Sequence, residues 1–386
     1  MTVDVPPPGK YYHGVYPGGP SGNEDDLKET DLASYESERT GVGRKAAWVY
    51  FSHNWYMKGR TPAFPKDTVD WISRDDKRVP FIRLMLRKTT DKNELEIDYD
   101  RCRVKKEKNA DRKNLLHFIL TDKKVQEDLK RWGDAAGKFR KPIVVEWGTE
   151  VNGYWFPWNG WWNGKEKGPE LFKETYSHIV NRIKEGGADN ITWAFHVVGT
   201  DDPAPDPKDE CTAKIGYDWN KFENYYPDVV DWLGVSIYGA QEPKGEECLP
   251  FKSQMTTAYN RLRALAPEKP IFVLEMGATM NGLKCGEQPH DPSCTTLGGA
   301  AKWADDALRE IRTNTDWQQL RGFSWWNEQW DNDKEGKEDE PDPDNHTNMR
   351  VEDVPCLRQV FKRHLVTEDS TKPWIVDTPL IKVITP

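Results

Sequence analysis

Residues 142–164 read PIVVEWGTEVNGYWFPWNGWWNG. Ile143, Val144 and Val145, with Trp147, form a short apolar run between a proline and a glycine, the pattern of a strand buried on both faces in a parallel sheet. The stretch 148–164 is too rich in Gly and Asn to extend it and reads as a loop. Residues 170–184 then read as a helix. Strand, loop and helix together are the repeating unit of parallel α/β folds.

The same alternation continues in both directions. Upstream, apolar runs at 11–16, 47–52 and 80–86 are followed by helical stretches near 31–39, 67–74 and 124–139, with a charged excursion over 88–115 before the third helix. Downstream, runs at 191–198, 230–238, 270–276 and 321–327 are followed by helical stretches near 219–225, 253–265, 299–312 and 354–365. Eight strands, each followed by a helix, predict an α/β fold of the (β/α)8 TIM-barrel type. No linker or internal repeat is visible, so residues 1–386 read as a single domain, with the tail 372–386 packed across the barrel.

Composition narrows the function. The chain has 55 Lys and Arg against 64 Asp and Glu, a net charge of −9, which argues against a nucleic-acid partner. No apolar run approaches the roughly 18 residues of a membrane span. The unusual count is 18 Trp, flat amphipathic rings suited to stacking on sugar faces. The six Cys (102, 211, 248, 285, 294 and 356) show neither a CxxC nor a zinc spacing. Cys285 and Cys294 flank one loop-like stretch, Cys211 and Cys248 a longer one. Disulfides in an extracellular or periplasmic protein and free buried thiols are equally good readings. No leader is visible, and a monomer is expected.

In such barrels the reactive groups sit at the carboxyl ends of strands. Glu150 closes the fourth strand and Glu275 ends the seventh in PIFVLEMG. Strands four and seven face each other across the mouth, so their side chains can meet at a substrate between them. A carboxylic acid that protonates a leaving oxygen and a carboxylate that attacks the anomeric carbon are what retaining glycoside cleavage requires. The acid is expected to have a raised pKa, from burial beside Trp or from its partner's charge. The plainer reading of either Glu is an ion pair; for Glu275 that would be with a barrel arginine such as Arg83. Three other glutamates compete. Glu146 lies within the fourth strand and reads as a buried partner of a cation. Glu328 follows the eighth strand, and Glu242 lies in a loop after the sixth.

The run EVNGYWFPWNG at 150–160, with LEMG on the seventh strand, resembles glycoside hydrolase family 26, and the similarity extends from GVYPGG to GFSWWNEQW. The resemblance implies an O-glycosyl hydrolase acting on β-mannan, β-1,3-xylan or mixed-linkage β-glucan, with Glu150 as acid/base and Glu275 as nucleophile. It further implies Trp155 and Trp158 as the aromatic pair after the acid/base. By the same resemblance Tyr238 is expected to be the hydrogen-bond partner of the nucleophile, and Trp325 or Trp326 the floor of the sugar site. Two positions depart from the pattern: Thr149 stands where the family usually has His, and Ser236 where mannanases usually have Asp. Both touch the central sugar in the family pattern, so the resemblance does not carry a mannose preference.

Further residues are consistent with a sugar cleft. His196 ends the fifth strand and could bind a hydroxyl or tune Glu150; a satisfied rim histidine is an equal reading. His53 and Trp55 after the second strand could form a distal subsite, or could pack. Asn152 and Asn159 have the amides to bind hydroxyls, yet Asn is also a turn former. The run from Asp331 to Asp344 starts like a calcium loop, but Glu335 breaks the pattern, so it reads as a solvated acidic loop with calcium as the alternative and no other cofactor or metal expected. The leading expectation is a hydrolase of β-linked polysaccharide with several subsites, endo-acting. The alternatives are a non-catalytic carbohydrate-binding barrel, which needs no matched carboxylates, and a transglycosylase using the same site.

Overall fold

The computed structural model describes residues 1–19, 27–56, 63–75, 77–87, 114–153, 155–199, 217–241, 248–279, 293–331 and 346–383. Eight parallel strands close into a barrel: β1 (Tyr12–Gly19), β2 (Trp48–Tyr56), β3 (Val79–Arg87), β4 (Ile143–Trp147), β5 (Ile191–Val198), β6 (Trp232–Tyr238), β7 (Ile271–Gly277) and β8 (Leu320–Asp331). Each pairs with the next, and β8 pairs with β1 as well as with β7, which completes the ring. The (β/α)8 reading is borne out.

Helices α1 (Glu29–Glu36), α2 (Lys66–Ile72), α3 (Leu115–Thr121), α4 (Lys123–Phe139), α5 (Gly168–Glu185), α6 (Phe251–Leu265), α7 (Gly299–Thr313) and α8 (Pro355–Lys362) surround the barrel. Two departures from the expected layout have local causes. Helix α3 begins at the edge of the supposed charged excursion; the Asp122 carboxylate, capping the amide of Val125, separates it from α4. After β5 there is no full helix among the described residues, only the 3-10 turns Tyr217–Asn220 and Phe222–Tyr225.

Side chains alternate between the barrel interior and the helix layer. The lower interior holds Trp48, Trp232 and Phe272, the last two stacked with centroids 4.1 Å apart. Gly14 makes room for them: a Cβ there would lie 2.1 Å from the Trp48 indole nitrogen. Trp48 donates that N–H to Ser324 Oγ. On the outer face, Trp147 stacks on Phe172 of α5 at 4.9 Å.

The chain ends cover the bottom of the barrel. Thr2–Val3 pairs antiparallel with Ile381–Lys382, the amide of Val3 donates to Thr192 Oγ1, and the amide of Leu380 donates to Tyr12 Oη. The described part of the tail, residues 372–383, lies against the barrel, as expected. At the opposite end His346–Asn348 extends β8 antiparallel, an element the sequence did not reveal.

Cys294 bonds Cys356, tying the segment before α7 to the first turn of α8. Cys294 therefore does not close the short loop shared with Cys285. Cys248 is also disulfide-bonded. Cys102, Cys211, Cys285, Glu242 and residues 332–344 of the acidic run lie outside the described residues. Among the described residues, no helix is long and apolar enough to cross a membrane.

Candidate active site

The site lies at the carboxyl ends of the strands. Glu275 is buried, with 4% of its surface exposed. How it points inward is not obvious from alternation. Phe272 faces the interior, so strict alternation would turn Leu274 inward and Glu275 out. The register between β6 and β7 passes from Val235↔Val273 directly to Ser236↔Glu275, and against β8 three steps on β7 match two. One extra residue on β7 is a β-bulge, which re-aims the next side chain into the barrel.

Once inside, Glu275 accepts a hydrogen bond from Tyr238 Oη at Oε2, 2.9 Å away, and its Oε1 lies 3.2 Å from Tyr50 Oη, whose single proton is shared with Glu146. Arg83 Nη1 lies 3.8 Å from Oε1. The Arg83 guanidinium is itself held over the rings of Phe156 and Trp326, 5.4 Å from each centroid. Burial pushes the Glu275 carboxyl up to about 7; Arg83 and His196 oppose the rise, and the charges of Glu150 and Glu146 add to it. The raised carboxyl thus belongs to the residue read as nucleophile, because it is the one deep in the barrel. Burial also keeps the hydroxyls of Tyr50 and Tyr238 protonated, so both act as donors.

Glu150 sits three residues past the end of β4, half-buried, with φ of +48°. Gly148 turns the chain there with φ of +72°, and a Cβ on it would lie 2.5 Å from the Phe172 ring. Trp155 Nε1 donates to Glu150 Oε2 at 2.8 Å. The loop beyond is pinned from several sides. The amide of Val151 donates to the His196 carbonyl. Asn152 exchanges hydrogen bonds with the backbone of Val198. Asn159 donates to Val151 O and Asn220 Oδ1. Both asparagines are loop clamps, as their turn-forming reading expected.

Beneath the pair, Glu146 is wholly buried. It accepts from Tyr50 Oη, and His196 Nδ1 lies 2.8 Å from its Oε2. It lies against His196, and its place in the strand reads as that of a buried partner for a cation; burial pushes its carboxyl up, but His196, Arg83 and the Tyr50 hydroxyl together bring it below the ordinary value. Burial pulls the His196 imidazole down, Glu146, Glu275 and Glu150 together pull it up, and the balance is upward. Glu146, His196 and Glu275 place their polar atoms within 4.8 Å of one another.

The structure brings together Glu150, Glu275, Trp155, His196, Tyr238 and Trp326. Trp326 stacks on Tyr16 at 3.9 Å and faces Arg83 and Tyr50. Glu328 tops β8 and accepts from Trp326 Nε1 at 2.9 Å, so it orients that ring. Four expected substrate contacts are corrected. Trp325 faces the helices, packs on Phe361 of α8 and donates to Met349 O. Trp158 is fully buried, stacks on Phe156 and donates to Thr149 O. Trp55 is fully buried and His53 packs on Trp132 of α4, since odd positions of β2 point away from the barrel axis while Tyr50 points in. The Trp count is also largely a packing fact: seven of the largest fully buried side chains are tryptophans. Sequence reading missed Tyr50 and Phe156. Inward parity on β2 could have indicated Tyr50; nothing in the local sequence indicates that Phe156 faces Arg83.

No family model matches the chain. A β-1,3-xylanase from a Vibrio species is 27% identical over 203 residues, 50% of this chain and 37% of that protein. The curated relatives are matched over only 19% to 37% of their own lengths. Among solved structures, GH26C from a Muricauda species superposes with a TM-score of 0.57 at 14% identity, covering 95% of this chain and 87% of that one. A family 26 β-mannanase from Bacteroides ovatus superposes with a TM-score of 0.52 at 15% identity, covering 95% and 90%. The barrel is thus shared with solved members of the family whose motifs the sequence resembles.

Proposed function

We propose that the chain is a retaining glycoside hydrolase, one catalytic barrel that cleaves internal linkages of a β-linked polysaccharide of mannan, glucan or xylan type. The observation that carries the reading is the setting of the two glutamates: Glu275 buried at the end of β7 against Tyr238, Tyr50 and Arg83, and Glu150 half-buried in the turn after β4, accepting a hydrogen bond from Trp155. In the first step Glu150 gives its proton to the glycosidic oxygen as Glu275 attacks the anomeric carbon. In the second, Glu150 takes a proton from water, which displaces Glu275 from the covalent intermediate. Tyr50, Tyr238 and Arg83 orient the Glu275 carboxylate. Trp326 and Trp155 supply ring faces for the sugar.

The names of the curated relatives and the shared barrel support this reading, and the Cys294–Cys356 disulfide supports an extracellular or periplasmic site of action. A monomer with no metal requirement is proposed with it. The test is release of reducing ends from a panel of mannans, β-glucans, xylans and bacterial exopolysaccharides. Glu275→Ala should lose activity by at least about 10³-fold, and azide should rescue it with an inverted product. Glu150→Ala, assayed with an activated leaving group, should be rescued with a retained product. Full activity in Glu275→Ala would overturn the assignment; binding without release of ends in the parent protein would leave a carbohydrate-binding barrel.

A further inference from the structure

Thr149 and Ser236, the two positions at which the chain departs from the pattern it resembles, bracket one imidazole. Thr149 Oγ1 lies 2.9 Å from His196 Nδ1, and Ser236 Oγ lies 2.8 Å from His196 Nε2. The same Nδ1 is 2.8 Å from Glu146 Oε2, and the His196 side chain has no exposed surface. Both ring nitrogens are therefore committed to protein oxygens, and the buried carboxylates Glu146 and Glu275 lie within 4.8 Å of the ring, with Arg83 beside Glu275.

We propose that His196 is a protonated positioning residue, an imidazolium that pairs with Glu146 and supplies the second positive charge needed to keep Glu275 ionised. Charge balance carries the argument. A buried carboxylate without a cation is strongly disfavoured. Arg83 lies beside Glu275, and if His196 were neutral the two carboxylates nearest the ring, Glu146 and Glu275, would face a single cation. With an imidazolium the charges cancel, both ring N–H groups have acceptors, and Ser236, accepting from Nε2, turns its own hydroxyl proton elsewhere. The groups facing this unit are Tyr50 from β2, Arg83 from β3, Glu146 and then Glu150 from β4 and its loop, Ser236 and Tyr238 from β6, and Glu275 from β7. From the helix layer Tyr176 approaches, its hydroxyl bonded to Ala194 O. Among these the cations are Arg83 and His196. The plainer alternative is that His196 only ties β4, β5 and β6 together.

The proposal takes Glu275 as the nucleophile, and so rests on the function proposed above, but its test does not need turnover. In protein labelled with 15N-histidine at pH 8, well above the ordinary histidine value, one of the eight histidines should show two protonated ring nitrogens, and Glu146→Gln should remove that signature. A spectrum in which every histidine is neutral at pH 8 overturns the proposal, with no variant required. The second readout is the 13C carboxyl titration of Glu275, assigned with Glu275→Gln. His196→Gln should move that titration up by about one pH unit or more, and His196→Gln/Glu146→Gln should bring it back, because the extra negative charge goes with the lost positive one. A structural tie would lower the melting temperature and leave the titration in place. If hydrolysis is found, the acid limb of kcat/KM should move with the titration; if none is found, the protonation result still stands by itself and only the nucleophile role fails.

Discussion

At the scale of single residues, the decisive quantity is the state of Glu275. As the proposed nucleophile it must be ionised, and burial pushes this carboxyl up to about 7. kcat/KM should therefore fall about tenfold per unit as the pH drops below about 7. An acid limb centred below pH 5 would show that Arg83, His196 and the two phenols offset burial fully. The same group bears on stability with a definite sign. Its folded value lies above the ordinary 4.5, so between about 4.5 and 7 the folded state binds more protons than the unfolded one, and stability falls as pH rises through that window. Glu275→Gln removes the cost. Its stability relative to the parent should increase by up to about 3 kcal/mol between pH 4 and pH 8, measured by denaturant unfolding at each pH. An unchanged difference across that range would mean the carboxyl is not raised. Arg83, held between Phe156 and Trp326, is the natural check on the opposing charge.

At the scale of elements, the turn after β4 decides where Glu150 sits. Gly148 has φ of +72°, and a Cβ on it would lie 2.5 Å from Phe172. Gly148→Ala combines a left-handed residue that costs roughly 1–2 kcal/mol with overpacking of roughly 1–3 kcal/mol. Thermal unfolding should show a combined loss of roughly 2–5 kcal/mol, and kcat/KM should fall with it because Glu150 is two residues away; parent-like values of both would remove the strain argument. The turn also shows what could be read beforehand. The strand count, the place of Glu275 near the end of its strand, that of Glu150 in the loop just beyond its own, and the burial of Glu146 were legible, because apolar runs and turn residues are local signals. Side-chain parity was legible only in part. Trp325 and Trp326 could not be told apart from composition, and they face opposite ways. The bulge that turns Glu275 inward has no local signature. The convergence of Thr149 and Ser236 on His196 joins three strands, and it arises from barrel closure alone. Trp55 and Trp158 failed as sugar contacts for a related reason: a Trp in a strand or a buried loop satisfies the core first.

At the scale of the whole molecule, the barrel is stapled at both ends, and the two staples should have different consequences. At the bottom, Ile381–Lys382 pairs with Thr2–Val3, and the amides of Leu380 and Asp4 bind Tyr12 Oη and Leu380 O. These contacts lie at the starts of strands, away from Glu150 and Glu275. At the top, Cys294–Cys356 joins the segment entering α7 to the start of α8, closing 62 residues of chain. These segments come after β7 and β8, which carry Glu275 and Trp326. The crosslink restricts the unfolded chain by an amount worth roughly 4 kcal/mol in the loop-entropy account, and it also fixes the packing behind the mouth, where Met349 O receives the Trp325 N–H and the Met349 sulfur fills the space beside Gly277. Ending the chain at Thr378 should therefore lower the melting temperature and leave kcat/KM of the folded fraction unchanged. Replacing Cys294 and Cys356 with Ser should lower the melting temperature and also raise KM, as the support behind Trp326 loosens. Melting curves and steady-state kinetics on the two variants decide the matter. Equal kinetic damage from both would mean that rigidity at the mouth is a property of the closed barrel as a whole, and not of the segments stapled beside it.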